Sequence, residues 1–94
     1  MKIILDGYMM QTKQDAHTYI QNTLFFPDYY GKNLDALFDL LTENRKQITI
    51  RIEHCNAIIT SLGAYGTALL ETFAEAAEQT PALTVEMDTE DDIK

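Results

Sequence analysis

The sequence contains one cysteine, two prolines and no tryptophan among its 94 residues. The single cysteine, Cys55, excludes an internal disulfide framework and the paired-cysteine motifs of zinc and thiol redox sites. The apolar runs are too short to cross a membrane, and the run after Met1-Lys2 ends at Asp6, too early for a signal peptide. We therefore expect a cytoplasmic protein that makes no membrane contact.

Positive charge is also scarce: 7 Lys and Arg residues stand against 15 Asp and Glu residues, so the formal net charge is −8. An acidic surface repels a phosphate backbone, which excludes nucleic-acid binding through a basic face and favours a basic protein partner. Four of the acids lie within the last seven residues. We expect residues 88–94 to form a disordered acidic tail and residues 1–87 to form one globular domain. The tail lacks the glycine and the distal glutamate of an EF-hand loop, and no metal site is predicted there.

Hydrophobic periodicity predicts three strands and three to four helices. Apolar runs or alternation of apolar and polar residues are typical of strands, and apolar residues three and four apart are typical of helices. The predicted strands cover residues 2–5, 48–53 and 83–87, and the predicted helices cover residues 13–24, 34–43 and 65–79. Residues 55–62 are ambiguous, and a short helix that ends at Gly63 is one interpretation.

Strands that are separated by helices pair in parallel through right-handed crossovers. The fold class that follows is a small single-domain α/β protein with a three-stranded parallel sheet. Alternation in the second and third strands indicates that one face of this sheet is only partly covered. A hairpin with its turn at Asp6-Gly7 is the main alternative, and it would pair residues 3–5 with residues 8–10.

The helix predicted over residues 34–43 has an unfavourable charge pattern. Asp35, Asp39 and Glu43 follow one another four residues apart beside the apolar stripe, and the helix contains no lysine or arginine. Like charges at this spacing destabilise a helix by roughly 0.2–0.5 kcal/mol per pair. One interpretation is the solvated face of an acidic protein. The other is a negative strip that binds in a cationic cleft, as a nucleic-acid backbone would.

The loop before this helix carries two adjacent tyrosines, Tyr29 and Tyr30, between Pro27 and Gly31. Adjacent side chains do not both face the core easily, so we expect at least one of them at the surface, where tyrosine is a common interface anchor. Packing in the core is the alternative for each. For Asn33, capping of the helix is the preferred interpretation and direct contact with a partner is the alternative.

The segment from Pro27 to Asp39, PDYYGKNLDALFD, resembles the signature of the barstar family of intracellular ribonuclease inhibitors. The resemblance is dense over residues 26–42 and less specific over most of the remaining chain. It implies the fold described above and a function in which the loop and second helix plug the active site of a ribonuclease. By position, Asp39 would replace a substrate phosphate, Asp35 would meet a basic residue, and Tyr29 would stack near the catalytic histidine.

The resemblance further implies that Tyr30, Gly31 and Asn33 shape the loop and its rim. It also implies that Glu75, in the later helix, is an acidic contact. The full set of predicted partner-binding residues is Tyr29, Tyr30, Gly31, Asn33, Asp35, Phe38, Asp39, Glu43 and Glu75.

The periphery of this signature differs from the inhibitor of barnase. Phe38 stands in place of a tryptophan, Glu43-Asn44 stands in place of Gly-Trp, and Gln79 stands in place of an acid. Peripheral contacts often set specificity between related partners. We therefore expect the partner to be a related secreted ribonuclease or a ribonuclease toxin domain rather than barnase itself.

An enzyme is not expected. Asp35 and Asp39 share one helix edge and therefore similar surroundings. An acid–base pair instead requires two environments that separate the pKa values of its members. His54 and Cys55 are adjacent and would point away from each other in a strand, and His17 does not join the apolar stripe of its helix.

We expect no catalytic residue, no cofactor, and a monomer until the partner binds. The alternative function is a generic acidic interaction module, or a nucleic-acid mimic that binds a basic non-nuclease protein.

Overall fold

The structure, a computed structural model, describes residues 1–88. Its elements follow the predicted order, and residues 55–62, which the sequence leaves ambiguous, form a helix. In chain order the elements are β1 (Lys2–Asp6), a 3-10 helix (Gly7–Met9), α1 (Lys13–Leu24), α2 (Leu34–Thr42), β2 (Ile48–Glu53), α3 (Cys55–Leu62), α4 (Ala64–Gln79) and β3 (Leu83–Met87). The predicted α/β fold class is confirmed.

The sheet is parallel throughout, with the strands in the order β1-β2-β3. Ile3 in β1 lies opposite Ile50 in β2, and β3 pairs with the other edge of β2. The alternative hairpin at Asp6-Gly7 is therefore wrong. The chain enters the 3-10 helix instead of turning back, because the Asp6 carboxylate accepts a 2.9 Å hydrogen bond from the backbone N–H of Tyr8.

The two faces of the sheet differ in burial, as the alternation in β2 predicts. Ile50 and Ile52 are 1% and 0% exposed and form part of the core beneath the helices. On the other face, the side chains of Lys2, Arg51 and Glu86 are exposed by 55%, 31% and 43%. The molecule is therefore built from two layers, with the apolar face of the sheet against the helices and a charged face towards solvent.

Asp88, the first residue of the predicted acidic tail, still bonds to the sheet. Its backbone N–H donates to the Ile52 carbonyl at 2.8 Å, and its carboxylate lies 3.4 Å from the Arg51 guanidinium. The rest of the predicted tail, residues 89–94, lies outside the described residues.

The starts of α1 and α2 follow from the local sequence. The Thr12 hydroxyl accepts a 3.0 Å hydrogen bond from the Asp15 N–H, and the Asn33 side-chain carbonyl accepts a 2.8 Å bond from the Ala36 N–H. These bonds satisfy backbone donors that have no partner within the first turn of a helix. The expectation that Asn33 caps the second helix is confirmed.

α3 and α4 meet at Gly63 and lie close together. Gly63 has a φ of 61°, which glycine adopts without a steric penalty. A Cβ atom at Gly66 would lie 2.6 Å from the Ile58 carbonyl oxygen, so only glycine permits this approach of the two helices. None of the helices within residues 1–88 combines the length and the apolar character needed to span a bilayer.

Candidate protein-binding site

The loop between α1 and α2 places its two tyrosines in different environments. A turn closed by a 3.0 Å bond from the Tyr30 N–H to the Pro27 carbonyl precedes α2. Tyr30 is 5% exposed, and its ring packs edge-on against Phe26 with the ring centroids 5.1 Å apart. Tyr29 is 79% exposed. The expectation that at least one of the two tyrosines lies at the surface is confirmed.

A buried histidine holds Tyr30. The Nδ1 atom of His17 lies 2.6 Å from the Tyr30 hydroxyl, and its Nε2 atom lies 2.6 Å from the hydroxyl of Tyr65 in α4. Burial lowers the pKa of His17, and the positive charge of Lys32 lowers it further. Burial also raises the pKa of both tyrosines. The neutral imidazole donates to one hydroxyl and accepts from the other, and so links α1, the loop and α4.

His17 is 1% exposed, so the prediction that it lies outside the buried stripe of α1 is wrong. A signal for its position was present in the sequence. His17 precedes Ile20 by three residues and Leu24 by seven, which is the spacing of one helix face. Polar side chains at the edge of an apolar stripe are buried when hydrogen-bonding groups from other elements satisfy them, as Tyr30 and Tyr65 do here.

Asp35, Asp39 and Glu43 form what we term the acidic edge of α2. All three are exposed, whereas Leu37 and Leu41 of the same helix are buried. Within residues 1–88, no nitrogen of a lysine, arginine or histidine side chain lies within 4.0 Å of these three carboxylates. The described part of the chain therefore leaves the acidic edge accessible to external cations.

Other predicted residues of this region have contacts within the fold. Phe38 is half-buried and packs against the core. The Asn33 amide donates a 3.3 Å hydrogen bond to the Gly31 carbonyl, in addition to its N-cap bond. The Lys32 ammonium donates to the Thr18 hydroxyl at 3.3 Å, which directs the one cation of this loop towards α1.

The loop and α2 enclose a groove of about 210 Å³, which we term the acidic groove. It brings together five of the predicted partner-binding residues. The groove is lined by Tyr29, Tyr30, Gly31, Ala36, Asp39, Leu40 and Glu43. Asn33, Asp35 and Phe38 lie outside its lining, on or beside α2. Glu75 is exposed on α4, which packs against α2, and is likewise outside the groove.

The sequence matches a known family of proteins. The family model described as "Barstar (barnase inhibitor)" matches residues 1–91. The chain belongs to the barstar family. A Bacillus subtilis (strain 168) protein named "Putative ribonuclease inhibitor YrdF" is 39% identical to this chain over 79 residues, which cover 83% of this chain and 87% of that protein.

Membership of the barstar family, which is described as one of inhibitors, agrees with the expectation that the chain is not an enzyme. The Cys55 thiol is buried and donates to the Ile52 carbonyl at 3.4 Å, and the His54 ring lies 3.1 Å from the Asp6 carboxylate. These contacts join β1, β2 and α3. Across residues 1–88, the structure groups no three His, Cys, Asp or Glu side chains in a way that suits a metal ion.

Proposed function

We propose that this protein inhibits a basic ribonuclease by covering its active site in a one-to-one complex. The observation that carries the proposal is the acidic edge: three exposed carboxylates on one helix, not neutralised by the described part of the chain, beside the exposed ring of Tyr29. Membership of the barstar family supports the same function. The partner surface comprises the acidic groove together with Asn33, Asp35, Phe38 and Glu75.

The mechanism combines steric occlusion with mimicry of substrate charge. Residues four apart on a helix lie about 6 Å apart along its axis, so Asp35 and Asp39 present two anions in a row. Asp39, between the other two acids, takes the place of a substrate phosphate and accepts charge-assisted hydrogen bonds from the cationic residues of the ribonuclease. Asp35 pairs with a neighbouring basic residue, and Tyr29 packs on the rim of the active site as an aromatic anchor.

The fold holds this surface in place before binding. His17 fixes Tyr30 inside the loop, and the Asn33 cap fixes the start of α2. A surface that is already ordered loses less conformational entropy when the partner binds. Complementary charge also steers the encounter, so we expect an association rate of around 10⁸ M⁻¹s⁻¹ at low salt that falls steeply as salt rises.

The identity of the ribonuclease depends on the periphery of this surface. Phe38, Glu43-Asn44 and Gln79 differ from the barnase inhibitor in size and charge, while Asp35 and Asp39 are kept. We therefore propose a secreted ribonuclease or a ribonuclease toxin domain related to barnase as the partner. The protein then acts in the cytoplasm as a monomer that protects the cell from this enzyme.

RNA hydrolysis measures the proposed function directly. Barnase and other secreted ribonucleases of its type are titrated with the wild-type protein, and turnover is followed with a fluorescent RNA. We expect loss of turnover with an equimolar end point for the partner and inhibition at micromolar concentration for barnase. No inhibition of any of these enzymes at micromolar excess would overturn the proposal. Displacement of RNA from a basic protein that has no nuclease activity would then favour a nucleic-acid mimic.

A further inference from the structure

A second groove, of about 170 Å³, lies next to the acidic groove and has a different character. We term it the apolar groove. It is lined by Leu24, Phe26, Leu40, Leu41, Glu43, Asn44, Ile48, Ile50 and Leu83. Leu41, Ile50 and Leu83 are 3%, 1% and 4% exposed, so these three core residues form the floor of the groove. The wall residues include Leu40 and Ile48, which are half-buried.

The two grooves are neighbours, because Leu40 and Glu43 line both of them. Glu43 therefore stands between an apolar surface and the acidic groove. Arg45 and Lys46 follow in the chain, but within residues 1–88 neither lies within ion-pair distance of the Glu43 carboxylate. The charge at this junction is available to an external cation.

Asn44 contributes to the shape of the apolar groove. Its side-chain amide donates a 2.6 Å hydrogen bond to the Lys46 carbonyl, and its side-chain oxygen accepts a 3.3 Å bond from the Lys46 N–H. Both ends of this short side chain are thus used within the loop that follows α2.

We propose that the apolar groove receives one arginine side chain of the ribonuclease, with its aliphatic stem over Leu41 and Ile48 and its guanidinium on Glu43. The volume suits a single side chain and not a helix or a strand. Long cationic side chains bury an apolar stem while the charged end stays at a polar surface. A second copy of this chain is disfavoured as the occupant, because its net charge of −8 repels an identical molecule.

This inference rests on the proposed function for the source of the arginine, and it makes the groove a specificity site. A ribonuclease with an arginine at the matching position satisfies Glu43 and covers the apolar residues. A ribonuclease with a short or acidic residue there leaves the Glu43 carboxylate without a partner in the complex, which disfavours that enzyme.

Small-molecule probes test the groove without any ribonuclease. Amide shifts of the protein are followed by NMR during titration with n-butylguanidinium, with guanidinium, which has no stem, and with N-butylurea, which has no charge. We expect n-butylguanidinium to shift the amides of Leu40, Leu41 and Ile48, with affinity at least about tenfold above either control probe. Equal affinity for all three probes, or shifts spread equally over every acidic helix face, would contradict the proposal.

Two variants and a matched control sharpen this titration. Ile48→Phe fills the groove, and Glu43→Gln removes the charge, so each should reduce n-butylguanidinium binding by about tenfold or more. Glu78→Gln removes one acid of α4 and should leave binding unchanged. If Ile48→Phe binds the probe as the wild type does, the probe does not enter the groove and the inference is wrong.

Inhibition assays with a ribonuclease that the wild-type protein inhibits separate this inference from the proposed function. We expect Ile48→Phe and Glu43→Gln each to weaken inhibition by about tenfold or more. If Asp39→Ala abolishes inhibition while both groove variants inhibit normally, the proposed function stands and the arginine site is wrong. If the wild-type protein inhibits none of the ribonucleases, the proposed function fails. The inference that a ribonuclease supplies the arginine then fails with it, whatever the small-molecule titration shows.

Discussion

The acidic edge of α2 and the open face of the sheet both carry acidic side chains, but the two surfaces differ in whether cations of the same chain lie beside those side chains. On the sheet, nitrogens of Arg51 lie 3.4 Å from Glu53, 3.7 Å from Glu86 and 3.4 Å from Asp88, and Lys2 lies 3.6 Å from Glu86. On α2, the described part of the chain supplies no such cation. The number of acids therefore does not identify a binding surface. What identifies it is whether the fold neutralises them.

The difference has a thermodynamic consequence. Partly exposed ion pairs such as those of Arg51 contribute little to stability, on the order of 0–1 kcal/mol each, and satisfy the acids locally. Repulsion among the carboxylates of the acidic edge destabilises the free helix and is relieved when an external cation binds. The sheet acids are thus paired within the fold, whereas the described part of the chain leaves the α2 acids without a cation.

Asp39→Ala gives the largest expected effect. If Asp39 is buried against cations in the complex, its loss should weaken ribonuclease binding by about 3–5 kcal/mol, because the partner cations are left buried and unpaired. Calorimetric titration measures this loss, and circular dichroism checks that the fold is intact. Glu78→Ala is the matched control and should bind almost as the wild type does. Equal losses for the two variants would indicate non-specific charge attraction.

Tyr29→Ala should give the next largest effect. The exposed ring makes few contacts in the free protein, so the free energy of unfolding should change by less than about 0.5 kcal/mol. Binding should weaken by about 2 kcal/mol, as expected for an aromatic anchor at an interface. Thermal melts and titration calorimetry report the two quantities separately. Marked destabilisation without a loss of affinity would show that Tyr29 serves the fold instead.

Stability should fall as pH decreases because of His17. Its folded-state pKa lies below the ordinary value of 6.5, so below that pH the unfolded chain takes up a proton that the folded chain resists. The contribution of His17 to the free energy of unfolding is fully present above pH 6.5. It falls by at most about 1.4 kcal/mol per pH unit as the pH drops towards the folded-state pKa.

Urea unfolding at about pH 7.5 and about pH 5.5 measures this dependence. His17→Gln should be less stable than the wild type near neutral pH and should show a flatter pH dependence. Asn22→Gln, a change of an exposed and non-titrating residue of α1, is the control and should keep the wild-type slope. An NMR titration of the His17 ring with a midpoint above 6.5 would contradict the lowered pKa.

Asp39→Ala should also stabilise the free protein slightly. It removes two like-charge contacts, with Asp35 and with Glu43, that each destabilise a helix by roughly 0.2–0.5 kcal/mol. Thermal melts at low salt should show the gain, and high salt should reduce it. A marked loss of stability would mean that Asp39 serves the fold, which would contradict its assignment to the acidic edge.

Arg51→Gln should have no effect on ribonuclease binding, although it leaves more negative charge on the surface. The variant removes one cation from Glu53, Glu86 and Asp88 and so makes the sheet face more acidic. If binding depended on charge alone, affinity would rise or a second ribonuclease would bind. Titration calorimetry should show unchanged affinity and a one-to-one stoichiometry at moderate salt.

Parts of the site could be predicted because they depend on near neighbours in the chain. Asp35, Asp39 and Glu43 share an edge through helix geometry alone, and Asn33 caps α2 through a bond to a residue three positions later. The His17 link could not be predicted in the same way. It joins residues that are 13 and 48 positions apart, so it depends on how α1, the loop and α4 pack.

The apolar groove and the ion pairs of the sheet face are also products of long-range packing. Leu24, Leu40 and Leu83 come together only when the ends of α1 and α2 meet β3. Arg51 meets Glu86 only because the register of the parallel sheet places the two residues opposite each other.

The amino-acid sequence by itself determined the order of helices and strands, the caps of α1 and α2, and the alignment of three carboxylates on one helix, since each depends on residues within a turn of one another. Only the tertiary structure decided which acids stay free. Neutralisation requires a cation to approach within a few ångströms. Within residues 1–88 the fold brings Lys2 and Arg51 to the acids of the sheet, but it brings no lysine or arginine to the three acids of α2.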